Sequence, residues 1–276
     1  MDKKDWFIFV INRNFFLNPA VFAVEILNID SPKIRISIPP GEEKTGLIKV
    51  ANPSPQPKQV RVYLEDWRYL PPFDGSKEFK PAGSLPFSAS SWISFLPKEF
   101  KIPPYGTQLI TYKVKIPKYA KGGHFSVLFF EELLEKPKVE KGVGIGVAVR
   151  IASLFYIEPE GTIIRKAKIE NLSLKKEGGQ LRIEADFNNI GNTDITCKGT
   201  FHIIDKKGMV YARGKFNDIY TFPGDVTKLK ADASCRLELG FYDLVITLQY
   251  QDGSVNVIEK TIKVYEWGKI EIISSR

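Results

Sequence analysis

A chain of 276 residues with 43% apolar and 26% charged residues has the composition of a folded globular protein, long enough for two cores, and is not a disordered or collagen-like polymer. Its net charge of +8 comes from lysines interleaved with glutamates, as in KKEGGQLRIEAD, with no arginine-rich block and no basic platform set with aromatics. No nucleic-acid partner is therefore expected, while contact with an anionic wall polymer stays open.

Along the chain, Lys3 and Lys4 precede the apolar runs Trp6 to Ile11 and Phe15 to Leu17, and Val21-Phe22-Ala23 supplies a small-residue cleavage motif. That order of charge, apolar run and short motif predicts a signal peptide over 1–23 and an exported protein, in the periplasm or at the cell surface. Asn12, Arg13 and Asn14 interrupt the apolar run, so a short N-terminal segment that packs on the following domain or anchors it is the alternative. No later run approaches the ~20 apolar residues of a spanning helix, and no integral membrane span is expected after signal removal.

From there almost every segment reads as a strand: KIRISI, TGLIKV, KQVRVYLEDW, TQLITYKVKI, HFSVLFFEE, QLRIEADF, TFHIID, DLVITLQY and VNVIEKTIKV. Each is rich in β-branched and aromatic residues, and turn formers such as Pro39-Pro40-Gly41, Asp74-Gly75 and Asp252-Gly253 separate them. No window of helical length carries a 3.6-residue apolar repeat. The pattern predicts an all-β protein of two tandem immunoglobulin-like β-sandwich domains, 24–159 and 160–276, with the boundary at Glu158-Pro159-Glu160-Gly161. Tyr69 to Ser90, with its Pro, Gly and Ser, is expected to be the longest irregular loop.

The most informative stretch is KGVGIGVAVRIASLFYIEPEG, Lys141 to Gly161. Val143, Ile145, Val147, Val149 and Ile151 alternate with Gly144, Gly146, Ala148, Arg150 and Ala152, so one face of a long strand is β-branched and the other nearly bare. Such a strand is either a core strand of the first domain or an edge offered to another chain, whose backbone would bond to it while alternate side chains fill pockets.

Chemistry is scarce. His124 and His202 each sit in a strand pattern without metal-ligand spacing, the carboxylate pairs Glu131-Glu132 and Glu65-Asp66 point to opposite faces of their strands, and no GxSxG or phosphate loop occurs. The expectation is a non-enzyme with no metal and no cofactor. Cys197 and Cys235 are either one disulfide of an exported domain or two reduced, buried thiols.

Several pieces, in order, resemble the PapD-like periplasmic pilus chaperones: KIRISIPPGEE then TGLIKVANPS, WISFLPKEFKIPPYGTQLITYKVKIP, GGHFSVLFFEEL and RIASLFYIEP. The resemblance runs over about 24–160 and holds for the second domain only in kind. It implies that Val143, Ile145, Val147 and Val149 are lent as a strand to a secreted, pilin-like subunit. It implies a carboxylate anchor in the cleft between domains, with Arg35 at the arginine's place. Ser153 stands at the lysine's place, immediately before Leu-Phe-Tyr, and Arg150 substitutes only across a bulge. A second resemblance, through VKIPKYAKGGHFSVLFFEE and VGIGVAVRIASLFYI, is to Gram-positive WxL-interacting surface proteins, and implies adhesion to wall polymer or to another surface protein.

Overall fold

The computed structural model describes residues 26–132, 149–177 and 179–275. The expected signal peptide and the positions Val143, Ile145 and Val147 lie outside these residues. The first ten strands are β1 (Asn28–Ile29), β2 (Lys33–Ile38), β3 (Glu43–Ala51), β4 (Lys58–Tyr69), β5 (Lys77–Pro81), β6 (Ile93–Leu96), β7 (Glu99–Ile102), β8 (Thr107–Lys115), β9 (His124–Glu132) and β10 (Val149–Pro159). They form one sheet in the order β1-β3-β8-β6 and a second in the order β2-β10-β9-β4-β5, with β7 beside β4. Then follow β11 (Ala167–Glu177), β12 (Gln180–Asn189), β13 (Ile195–Asp205), β14 (Val210–Lys215), β15 (Ile219–Thr221), β16 (Val226–Ser234), β17 (Gly240–Tyr250), β18 (Val255–Val264) and β19 (Ile270–Ser275). These pair as β11-β12-β16 and as β14-β13-β17-β18-β19, with β15 beside β13. Among the described residues no strand pairs across the two sets, and no helix is long and apolar enough to cross a membrane. The protein is all-β, two sandwiches in tandem.

Alternation sets what each sandwich buries. In the first, Ile48, Val50, Ile110 and Val114 of one sheet meet Val60, Leu128, Phe130, Phe155 and Ile157 of the other. Burial of each such side chain contributes roughly 1.5–3 kcal/mol. In the second, Ile183, Phe187 and Leu229 face Phe201, Leu244, Ile246 and Ile262. Gly46 is required on β3, since a Cβ there would stand 2.2 Å from the Tyr112 hydroxyl oxygen.

One expectation is corrected here, and one open alternative is narrowed. The stretch Tyr69 to Ser90 is not irregular throughout: Lys77–Pro81 is β5, pairing with Glu65 to Tyr69. Phe79 supplies the reason, packing edge-on against Phe129 at 4.9 Å between centroids. The rest of the stretch is pinned by the buried Asp66 carboxylate, which accepts from Leu85 N (3.0 Å) and Ser88 Oγ (2.6 Å). The cysteines form no bridge, and both thiols are free. Cys197 is buried near the start of β13, beside Ile219 and Tyr250. Cys235 follows Ser234, whose register partner is Gln180 at the far end of β12. The length of a sandwich separates them, well beyond disulfide reach.

A third cluster joins the sandwiches. Trp67, Tyr69, Phe73, Phe125 and Tyr156 of the first pack with Phe222 and Tyr220 of the second. Phe125 stacks on Phe222 at 4.2 Å, with an interplanar angle of 15°. Backbone bonds cross the joint from Gly123 N to Asn192 O (2.8 Å) and from Tyr220 N to Phe73 O (3.0 Å). Gly122 has φ +75°, and a Cβ there would lie 2.6 Å from Asn192 O, so the close approach needs glycine.

Candidate functional site: an open strand edge and a cationic cleft

β10 is paired on one side with β9 from Val149 with Glu132 to Ile157 with His124. On its other side β2 runs parallel to it, and their pairing begins only at Leu154 with Lys33. Ser153 closes that register: its hydroxyl donates to Ser31 O at 2.7 Å. Among the described residues, Val149 to Ala152 therefore present an unpaired backbone edge. The two faces of β10 differ. Ile151, Phe155 and Ile157 turn to the first core, whereas Ala152, Leu154 and Tyr156 belong to the aromatic cluster at the joint. By the same alternation Val149 lies on the core face.

Where β2 meets β10, cations gather over aromatic rings. Arg35 Nη1 and Nη2 donate to Asp194 Oδ1 (3.0 Å) and Oδ2 (2.7 Å), and Arg35 also bonds Glu158. Glu158 is shared with Arg165, which reaches Asp252 at 3.3 Å. Burial works against the Arg35 charge, but the bond to Asp194 and the nearby carboxylates outweigh it and hold the guanidinium above its ordinary pKa. Lys33, two residues earlier on the same face, has Nζ 4.5 Å from the Tyr156 ring centroid. Lys77 of β5 stands 5.6 Å from the Tyr69 centroid and donates to Gly75 O at 2.7 Å. Both lysines are pushed below their usual pKa, first by burial and then by a neighbouring cation, Arg35 for Lys33 and Lys33 for Lys77. The carboxylates Asp194 and Glu158 are taken by arginine, so the Lys33 side of the cleft is short of negative charge. The arrangement can receive an anion.

The anchor pair expected from the sequence is not brought together. Arg35 is level with Tyr156, and Arg150 lies six residues earlier on β10, a separation of about 20 Å along the strand. Arg150 binds Glu65 (3.1 Å) and the Tyr63 hydroxyl (3.2 Å), with its guanidinium 4.0 Å from the Phe129 centroid. Ser153 at the lysine's expected place is buried. The cations that do accompany Arg35, Lys33 and Lys77, were missed by the sequence reading. Lys33 carried a signal, since i and i+2 of a strand share a face. Lys77 carried none, because it arrives with β5.

Among the described residues no three His, Cys, Asp or Glu side chains gather where they could hold a metal ion. His124 packs on Trp92 at 4.1 Å, with its ring Nδ1 3.2 Å from Gly122 O, and belongs to the packing below the joint.

No protein-family model matches the chain, and no curated protein matches it in sequence. Among solved structures it is similar to a chain of a chaperone–tip adhesin complex of CFA/I fimbriae biogenesis, at 12% identity and a TM-score of 0.47, over 91% of this chain and 99% of that one. It is also similar to the class 5 fimbriae chaperone CfaA, at 14% identity and a TM-score of 0.45, over 91% and 100%. A third is the Salmonella enterica SafA pilin in complex with the SafB chaperone, at 11% identity and a TM-score of 0.41, over 84% and 94%. At these identities and TM-scores the likeness concerns the course of the chain alone.

Proposed function

We propose that this protein is an exported, non-enzymatic chaperone that binds a secreted, pilin-like subunit by lending it a β-strand, with Val143, Ile145, Val147 and Val149 as the donated row. The observation that carries the reading is the open edge of β10 from Val149 to Ala152, which begins at the last residue of that row. A partner strand added along that edge gains backbone bonds, and alternate side chains of the donated row are what fill its pockets. Burial of three of them contributes roughly 5–9 kcal/mol before ordering costs. The subunit's terminal carboxylate is seated by Lys33 and Lys77 beside Arg35, and Arg150 holds the start of β10 to the sheet. The periplasm is the compartment this reading requires.

The test is the double variant Ile145→Asp with Val147→Asp. The subunit that co-purifies from the envelope fraction is expected to be lost while the unfolding midpoint stays that of the natural chain. Loss of folding would show the row to be core, and retention of the partner would move binding to another surface.

A further inference from the structure

At the end of the second sandwich away from the joint, β13 turns into β14, the chain enters β17, and β18 turns into β19. Met209 and Leu239 there are each 63% exposed, and Val210, Tyr211 and Phe241 are exposed as well. A single exposed apolar residue is ordinary, whereas five on two touching segments form a patch. The segments touch twice: Tyr211 meets Tyr242 edge-on at 5.1 Å, and Lys206 Nζ stands 5.5 Å from the Phe241 centroid. Lys263, the register partner of Phe241, brings a second ammonium to the same ring at 5.3 Å. Lys206, Lys207 and Lys263 form no ion pair among the described residues. Two neighbouring acids are engaged: the Asp205 carboxylate accepts from Lys207 N (2.8 Å) and Met209 N (2.9 Å), and Glu271 holds Lys269 at 2.6 Å. Glu238 and Glu266 are exposed at this end too, so attraction between charges supplies the smaller part of any affinity here and apolar contact the larger.

We propose that this tip docks on an anionic phospholipid surface, with Met209, Leu239 and Phe241 entering the boundary between headgroups and acyl chains while Lys206, Lys207 and Lys263 meet lipid phosphates. Met209 and Leu239 lie in connections between strands, so they lead at the tip. A lipid layer yields around such separate projections and needs no preformed pocket. The open edge of β10 and the cationic cleft lie at or beyond the joint, so docking by this end leaves both free for a partner. The site is independent of strand donation.

The test is sedimentation of the full chain with phosphatidylcholine vesicles, with and without about one third phosphatidylglycerol. Wild type is expected to pellet with the anionic vesicles, several-fold less with phosphatidylcholine alone, and less as salt rises. Leu239→Ser with Phe241→Ser is expected to weaken partitioning roughly tenfold or more, through two lost insertions, while the unfolding midpoint is kept. Lys206→Gln with Lys207→Gln is expected to weaken binding to the anionic vesicles roughly fivefold and to leave the phosphatidylcholine value unchanged. If the serine variant does not fold, the glutamine pair decides. Wild type left in the supernatant, equal binding to the two vesicles, or a folded serine variant that binds as wild type does would each overturn the proposal. A lipid-indifferent dimer that the serine variant makes monomeric would overturn it too, and would assign the tip to a second copy of the chain.

Discussion

The Arg35 guanidinium of the first sandwich meets both carboxylate oxygens of Asp194 in the second, at 3.0 and 2.7 Å. This fork-on-fork pair fixes distance and orientation together. Asp194 is fully buried, and Gln251 Nε2 adds a bond to its Oδ2 at 3.2 Å. Arg35→Ala leaves Asp194 buried without its cation and Glu158 with Arg165 alone, a change that costs about 3 kcal/mol, the low end for broken buried pairs because the Arg35 side chain is 26% exposed. Arg35→Lys is expected to recover only part of that, since an ammonium cannot form the fork. Urea unfolding followed by tryptophan fluorescence measures both. A loss below about 1 kcal/mol in Arg35→Ala would show that the joint is held by its aromatic cluster alone.

Lys33 and Arg150 make opposite predictions for the carboxylate seat. Lys33 stands over the Tyr156 ring and forms no ion pair among the described residues, so an entering carboxylate meets a cation with no salt-bridge partner of its own. Lys33→Ala is expected to weaken binding of the co-purified subunit roughly tenfold. Against the same subunit with an amidated C-terminus, the variant and the natural chain should bind alike. Arg150→Ala is expected to leave that acid-against-amide difference unchanged, because its guanidinium is spent on Glu65 and the Phe129 ring. Calorimetric titration reads all four combinations. An acid-against-amide difference that vanishes in Arg150→Ala and persists in Lys33→Ala would reverse the assignment.

Period-two alternation made most strands legible: KIRISI is β2, HFSVLFFEE is β9 and VNVIEKTIKV is β18, end to end. Pro97 within WISFLPKEF marks something alternation does not encode, the change of sheet between β6 and β7. A proline can leave one ladder and start another because it has no N–H to satisfy. At the site, Arg35 was legible from its place in the opening strand. Arg150 was misplaced because the order of residues gives their spacing along β10 but not the register of β2 against it, which begins at Leu154. Asp194, from the other sandwich, was invisible for the same reason, since nothing local distinguishes it from a turn aspartate.

His124 ties stability to pH. Burial lowers its pKa below the ordinary value, against which the Gly122 carbonyl contact works only in part. The folded state thus favours the neutral ring, so its contribution is fully present above the unfolded pKa of about 6.5 and is lost as pH falls through the depressed folded value. The natural chain should lose more of its unfolding midpoint between pH 7.5 and pH 5 than His124→Gln does. Thermal melts at four pH values suffice, and parallel curves for the two proteins would assign the acid sensitivity elsewhere.

The cysteines give a prediction that separates their two sequence readings by chemistry. Burial pushes the Cys197 thiol up to about 12, so almost no thiolate exists at pH 8 and no reagent reaches it. Cys235 is half-buried beside Leu237 and also raised by burial, which makes it slow rather than inert. In the native protein iodoacetamide should label Cys235 slowly and Cys197 not at all. After unfolding without reductant, both should label fully, and intact mass should not change on reduction. Cys197→Ala, which leaves a small void, should cost less than Cys197→Ser, which places an unpartnered hydroxyl in the core at about 1–3 kcal/mol. Labelling that appears only after reductant is added would establish a bridge and require the far end of β12 and the start of β13 to come together.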